Sequence, residues 1–300
     1  MAEFRGIQRI SRSKPTLEGA GVKLKRAFGY FEVTLLDPFL LLDDFHSKNP
    51  DDYIAGFPWH PHRGIETVTY VLEGLVEHGD SIGNRGVIGS GDVQWMTAGS
   101  GIIHQEMPKG LKGLMWGFQL WVNLPSSHKM TNPRYREIKS VDIPEVQVKP
   151  GVQIKVIRGN VEENRGLVQD LVVDCEYLDV VMEPNTVLEH PIEKTRRAFA
   201  YVIEGRGYFS PEKNRLIDTE HLVVFRDGDR IKISAGDKGL RYLLISGKPL
   251  GEPVAWRGPI VMNTQEELDD TFEELGNGTF LKHAESNEKT STSGYGFYKH

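Results

Sequence analysis

The chain of 300 residues and 33.9 kDa has room for one large or two ordinary domains. It is 39% hydrophobic and 26% charged, and no apolar run approaches the roughly 18 residues needed to cross a bilayer, which excludes membrane insertion. A net charge of -6 argues against a broad nucleic-acid surface, and the single cysteine, Cys175, excludes an intramolecular disulfide or a thiolate metal site and favours a reducing compartment.

The amino terminus, from Met1 to Arg5, carries no apolar stretch of signal-peptide length, so a cytoplasmic protein is expected, or a nuclear one in a eukaryote. Residues 5–26 hold seven Lys or Arg against one Glu and read as a solvated edge. His46 follows residues 40–45 and is a candidate for a cavity mouth. Short runs rich in Val, Ile, Tyr, Phe and Trp predict strands at 67–72, 93–97, 114–124, 152–158, 178–182, 198–204, 222–225, 230–234 and 241–246. In 114–124, Trp116, Phe118, Leu120 and Val122 share one face, as one side of a buried sheet requires. Trp95 and Met96 read as core or pocket lining, and Asp92 after Gly91 as a turn residue. One segment reads clearly as helix: Thr264 and Glu267 form a capping box, Leu268, Phe272 and Leu275 share a face, and Gly276-Asn277-Gly278 ends it. Past His283 the polar residues 284–300 predict a disordered tail. Many short strands with frequent turns give an all-β class, a sandwich or barrel.

An internal repeat divides the chain. Tyr70-Val-Leu-Glu-Gly74 recurs as Tyr201-Val-Ile-Glu-Gly205; further on, at a constant offset of 137, Gly91-Asp92 with Ala98-Gly99 recurs as Gly228-Asp229 with Ala235-Gly236. One β unit is therefore expected twice in tandem, with the polar residues 125–143 as linker and domains at 1–132 and 133–283.

Three of the ten histidines sit in two motifs. The first is Gly56-Phe-Pro-Trp-His60-Pro-His62-Arg-Gly-Ile-Glu66. Residues i and i+2 of a strand point to one face about 7 Å apart, so two imidazoles there can converge on one ion at roughly 2.1 Å each. The second is Gly91-Asp-Val-Gln-Trp-Met-Thr97-Ala-Gly99-Ser-Gly101-Ile-Ile-His104-Gln-Glu106, in which His104 and Glu106 again share a face. Either pair alone is commonly a hydrogen-bonded loop feature; both within one β unit point to a metal. Glu66 is in phase with His62, and periodicity leaves it open beside Glu106 as the carboxylate.

These motifs, His60 through Gly74 and Gly91 through Pro108, resemble the pirin family, a branch of the cupin superfamily. The resemblance is strongest over residues 20–125 and extends through the repeat to about 283. It implies two tandem cupin (jelly-roll) β-barrels with a few short helices, the first binding metal and the second without ligands. Matched residue by residue, it implies His60, His62, His104 and Glu106 as metal ligands. Many other cupins draw the carboxylate from the first motif, so Glu66 stays in play. Fe(2+) is the implied ion; three nitrogens and one oxygen also suit Ni, Cu, Zn, Co or Mn. The implied activity is quercetin 2,3-dioxygenase, opening a flavonol with O2 and releasing carbon monoxide, with Glu106 as ligand and proton acceptor. The alternative is a non-catalytic, iron-dependent regulator of a transcription, signalling or metabolic protein, met through a basic face around Arg63 and Asn84-Arg85. Direct nucleic-acid binding is not expected, and a metal-stabilised barrel without further role is a third reading. In the second repeat, Arg241 and Leu243 fall where His104 and Glu106 lie, and Pro191 and Glu193 fall opposite His60 and His62. His190 regains one ligand only by a register slip.

Overall fold

A computed structural model describes residues 3–169 and 172–283. The expected tail, 284–300, lies outside the described residues. The chain is mostly β and forms two compact units, each discontinuous in sequence. One, the site unit, comprises 15–25, 43–137 and the segment from 251 onward; the other, the companion unit, comprises the residues up to 14, 26–42 and 138–250.

A seven-stranded sheet runs in the order Arg134–Ile138, Val93–Thr97, Ile65–Glu73, Met115–Asn123, Phe39–Ser47, Val22–Phe28 and Lys14–Glu18. A four-stranded sheet runs Phe57–His62, Ile102–Lys109, Leu75–Asp80 and Arg85–Ile88. Ile65–Glu73 is rich in Ile, Val, Thr and Tyr and is buried on both faces over its first seven residues, which suits a central strand. In Met115–Asn123 the expected face holds for Phe118, Leu120 and Val122, all buried. Trp116 leaves that face. A register shift between Trp116 and Gly117 breaks the two-residue alternation, so Trp116 is half-buried and stacks on His46 with ring centroids 4.1 Å apart.

The companion unit is built on one nine-stranded sheet. Its main path runs Ile7–Arg12, His221–Phe225, Arg197–Tyr208, Arg230–Gly247, Cys175–Met182, Val152–Arg158 and Glu145–Lys149. Val187–Pro191 pairs with Arg230–Gly247, and Leu216–Asp218 with Arg197–Tyr208. Its core includes Ile154, Leu178, Val180, Ala200, Val223, Ile233 and Leu244.

The ladders test the repeat residue by residue. Tyr70 pairs with Phe118, and Tyr201 pairs with Leu243, so the Tyr-Val-Leu/Ile-Glu-Gly strands are true counterparts. The 137 offset is not the structural one. Gly91 donates its amide to the Val71 carbonyl at 2.7 Å, and the equivalent bond runs from Glu220 to Val202 at 2.9 Å. The counterpart of Gly91 is thus Glu220, which takes the same left-handed backbone (φ +63° against +85°). Leu243 is the counterpart of Phe118, not of Glu106. The strand corresponding to Ile102–Lys109 is the first part of Arg230–Gly247, which pairs with Val187–Pro191 as Ile102–Lys109 pairs with Phe57–His62.

The helix Gln265–Asn277 forms as expected. Thr264 Oγ1 accepts from the Glu267 amide, Glu267 reaches back to the Thr264 amide, and Gly278 closes it at φ +73°. Leu268 and Leu275 pack with Ile103, Ile260, Met262 and Phe280. Burial of each such side chain contributes about 1.5–3 kcal/mol, which fixes this segment onto the strand that carries His104.

Candidate metal centre

Phe57–His62 and Ile102–Lys109 are antiparallel neighbours, and their ladder sets His60 opposite His104. Because His60 and His62 are two residues apart in a strand, both project toward His104. Ring centroids lie 4.4 Å apart for His60 and His104, 4.8 Å for His60 and His62, and 5.1 Å for His62 and His104. One nitrogen from each ring lies within 4.8 Å of the others; among the described residues this is the one such group of three.

Backbone carbonyls set two of the tautomers. His60 Nδ1 lies 2.8 Å from the Pro58 carbonyl oxygen and His62 Nδ1 lies 3.0 Å from that of Pro259. A carbonyl only accepts, so each Nδ1 carries the proton and donates. The Nε2 lone pairs that remain stand 3.0 Å apart. Two lone pairs at that separation repel unless a cation lies against both. His104 is fully buried, and neither ring nitrogen has a hydrogen-bond partner among the described residues. An unsatisfied buried polar group costs roughly 1–3 kcal/mol. A divalent transition metal at the focus of the three rings removes both penalties, so the donor set fits such an ion. Burial and, second, the neighbouring imidazoles push His62 and His104 well below the ordinary value of 6.5; burial also lowers His60, against the pull of the Pro58 carbonyl and Glu106. The neutral imidazole is the ligating form.

Glu106 is buried and lies outside the close group of nitrogens. Its Oε1 accepts from the Thr69 hydroxyl at 2.8 Å and Gln94 Nε2 at 3.3 Å, and its Oε2 from Gln119 Nε2 at 3.1 Å. Glu66 is buried elsewhere: Trp95 Nε1 donates to one oxygen at 3.1 Å and Thr97 Oγ1 to the other at 2.7 Å. Trp95 and Met96 are fully buried, and Asp92 accepts from the Gly89 amide as a turn residue does. Arg63, expected on a basic face, is 2% exposed and bound by Ser100, Thr271, Glu274 and Phe280. A strand-end residue cannot stay on the surface when a later segment of chain folds over it.

Two neighbours escaped sequence reading. His78 is buried beside His104, its ring centroid 5.5 Å away; its Nε2 lies 3.1 Å from Asp80 Oδ2, and its ring stacks on Tyr135. It arrives as the cross-strand partner of Glu106, and its one local signal is the spacing His78-Gly-Asp80. Trp121 stands edge-on to His62 at 5.0 Å, with Trp256 a further 5.8 Å away. In the companion unit, His190 Nε2 lies 3.2 Å from Glu176 Oε1, and Ser246 donates to Glu176. Arg241 is clamped to Asp179 at 2.7 Å.

Among the described residues no helix is long and apolar enough to cross a membrane. Compared with known proteins, residues 21–122 match the Pirin family and residues 177–281 match the Pirin C-terminal cupin domain. A pirin-like protein of Caulobacter vibrioides is 44% identical over 277 residues, covering 92% of this chain and 99% of its own. A Pseudomonas aeruginosa protein provisionally named a quercetin 2,3-dioxygenase is 39% identical over 282 residues, covering 93% of this chain and 99% of its own. The solved structure of a quercetin 2,3-dioxygenase from Acinetobacter baumannii is 30% identical, with a TM-score of 0.85 and coverage of 92% and 98%. With both domain families matched and such identity along nearly its whole length, the chain belongs to the pirin family and contains two cupin domains.

Proposed function

We propose that the chain is a mononuclear, metal-dependent dioxygenase that opens a flavonol ring with O2, a quercetin 2,3-dioxygenase. In this reading His60, His62 and His104 hold iron(II), and Glu106 serves as fourth ligand and proton acceptor. One observation carries it: two Nε2 lone pairs 3.0 Å apart, their tautomers set by carbonyls, beside a buried His104 with both nitrogens unpaired. The names of the Pseudomonas and Acinetobacter relatives support the choice of substrate.

When bound, the metal supplies Lewis acidity that lowers the pKa of the substrate's 3-hydroxyl. The chain's own residues do the rest. Glu106 takes the proton of that hydroxyl, its carboxylate aimed by Thr69, Gln94 and Gln119. The half-buried Trp121 offers a flat wall beside His62, suited to a planar aromatic substrate. His62 and His104 keep their lone pairs at neutral pH because burial disfavours their charged forms.

The test loads the full chain with iron(II) under anaerobic conditions and then adds quercetin and O2. The expected result is one O2 consumed and one carbon monoxide released per flavonol opened, both lost in His62→Ala. Stoichiometric iron with no turnover across a flavonoid panel would overturn the dioxygenase reading in favour of a metal-dependent regulator.

A further inference from the structure

We infer that Arg63 is a positioning residue of the metal centre: it locks the carboxy-terminal segment 255–281 in place so that the Pro259 carbonyl holds His62 in its ligating tautomer. The inference rests on the proposed metal site and adds to it a residue that touches no metal.

The construction begins next to His62. Arg63 Nε donates to the Ser100 carbonyl at 2.8 Å, Nη1 to Thr271 Oγ1 at 3.0 Å, and Nη2 to Glu274 Oε2 at 2.7 Å and to the Phe280 carbonyl at 2.8 Å. Its guanidinium also lies 4.5 Å from the centre of the Phe280 ring. One planar fork thereby ties the His-x-His strand to both the helix Gln265–Asn277 and the chain that follows it. Lysine has one point of attachment and cannot reproduce that fork.

The backbone continues the link. The Val261 amide donates to the Arg63 carbonyl at 3.1 Å, and Lys129 Nζ donates to the carbonyls of Gly64 and Val261 at 2.9 Å each. Gly64 stands at φ +78°, and a Cβ there would lie 1.9 Å from the Val261 carbonyl oxygen, so only glycine lets the two backbones approach this closely. Pro259, two residues before Val261, is thereby held with its carbonyl 3.0 Å from His62 Nδ1. The bond spans 197 positions in sequence, and the local contact of the His62 ring, His60 Nε2 at 3.0 Å, would favour the opposite tautomer, so the long-range bond is what keeps the proton on Nδ1. His60 differs, for its carbonyl partner is Pro58 in the same strand. An outer group that fixes a ligand's ring and tautomer commonly changes metal affinity about 10- to 100-fold when removed.

The experiment uses the full chain, wild type and Arg63→Met, with two readouts. The first is the tautomer of His62, read by nitrogen-15 NMR on metal-free protein. The proton is expected on Nδ1 in wild type and shared between the two nitrogens in Arg63→Met, with His60 unchanged. The second is cobalt(II) affinity by chelator competition with the visible spectrum of the bound ion; a 10- to 100-fold loss and an altered spectrum are expected, not rescued by Arg63→Lys. Val76→Ala, a core truncation in the same unit but away from this segment, controls for lost stability and is expected to change neither readout. Should Arg63→Met fail to fold, Glu274→Ala removes one arm of the fork and is expected to shift both readouts in the same direction by a smaller amount. A His62 tautomer and cobalt affinity unchanged in the folded variants would overturn the inference. Wild-type protein that binds no cobalt would instead overturn the metal site, while the tautomer measurement still decides the role of Arg63.

Discussion

The ladder that carries the candidate metal centre and its counterpart in the companion unit share one strand plan and differ in how their polar groups are satisfied. In the site unit, Phe57–His62 against Ile102–Lys109 places three imidazoles together, and the fold supplies partners only for the nitrogens that point away from the focus. In the companion unit, Val187–Pro191 against the first part of Arg230–Gly247 carries a single histidine, His190, which is paired with Glu176 and, through it, Ser246. Leu188 faces Ile233 across that ladder, and both belong to the apolar core. A buried histidine paired with a carboxylate needs no ion, whereas imidazoles whose lone pairs converge in a buried site are satisfied by one.

The sharpest way to break this contrast is to remove an imidazole from each side. His104→Ala is expected to abolish stoichiometric metal binding, read by mass spectrometry of the loaded protein, whereas His190→Ala leaves metal content at the wild-type level. Retained metal in His104→Ala would end the distinction. Next in size are Phe118→Ala and Leu243→Ala, counterparts in the two cupin domains and both fully buried. Phe118→Ala is expected to cost about 3–5 kcal/mol and Leu243→Ala about 2–5 kcal/mol in denaturant unfolding, because a large core side chain is lost in both places. A much smaller effect at Leu243 would contradict the register that pairs it with Tyr201. For His190→Ala itself, unfolding should register a loss of about 1–3 kcal/mol, since Glu176 stays buried with one partner fewer.

The gentlest probe is pH on metal-free protein. His62 and His104 sit well below 6.5 in the folded state and return to about that value when unfolded. Below about pH 6.5 the unfolded chain therefore binds more protons than the native one, so stability falls as pH drops and is flat above it. Bound metal raises stability and keeps these imidazoles unprotonated in the native state, so the loss still begins near pH 6.5 and continues to lower pH than in metal-free protein, which thermal unfolding at several pH values would record.

The strand-rich class, the helix at the carboxy-proximal end and the three imidazoles were legible because each is a local pattern. Alternation marks strands, a capping box marks a helix start, and His-x-His marks two side chains on one face. The Tyr-Val-Leu/Ile-Glu-Gly repeat was legible for the same reason, since equal strands take equal ladder partners. The 137 offset misled because a turn needs a backbone conformation, not a residue type: Glu220 adopts it where the first repeat uses Gly91.

What the amino-acid sequence alone determined is which side chains can bind a metal and that they lie on strands able to present them together. The tertiary structure decided the rest. It set Glu66 against Trp95 and Thr97, brought His78 to His104, buried Arg63 under Glu274 and Phe280, and placed the Pro259 carbonyl on His62. Each of these depends on contacts between residues tens to hundreds of positions apart, and strand spacing carries information only about neighbours two residues away.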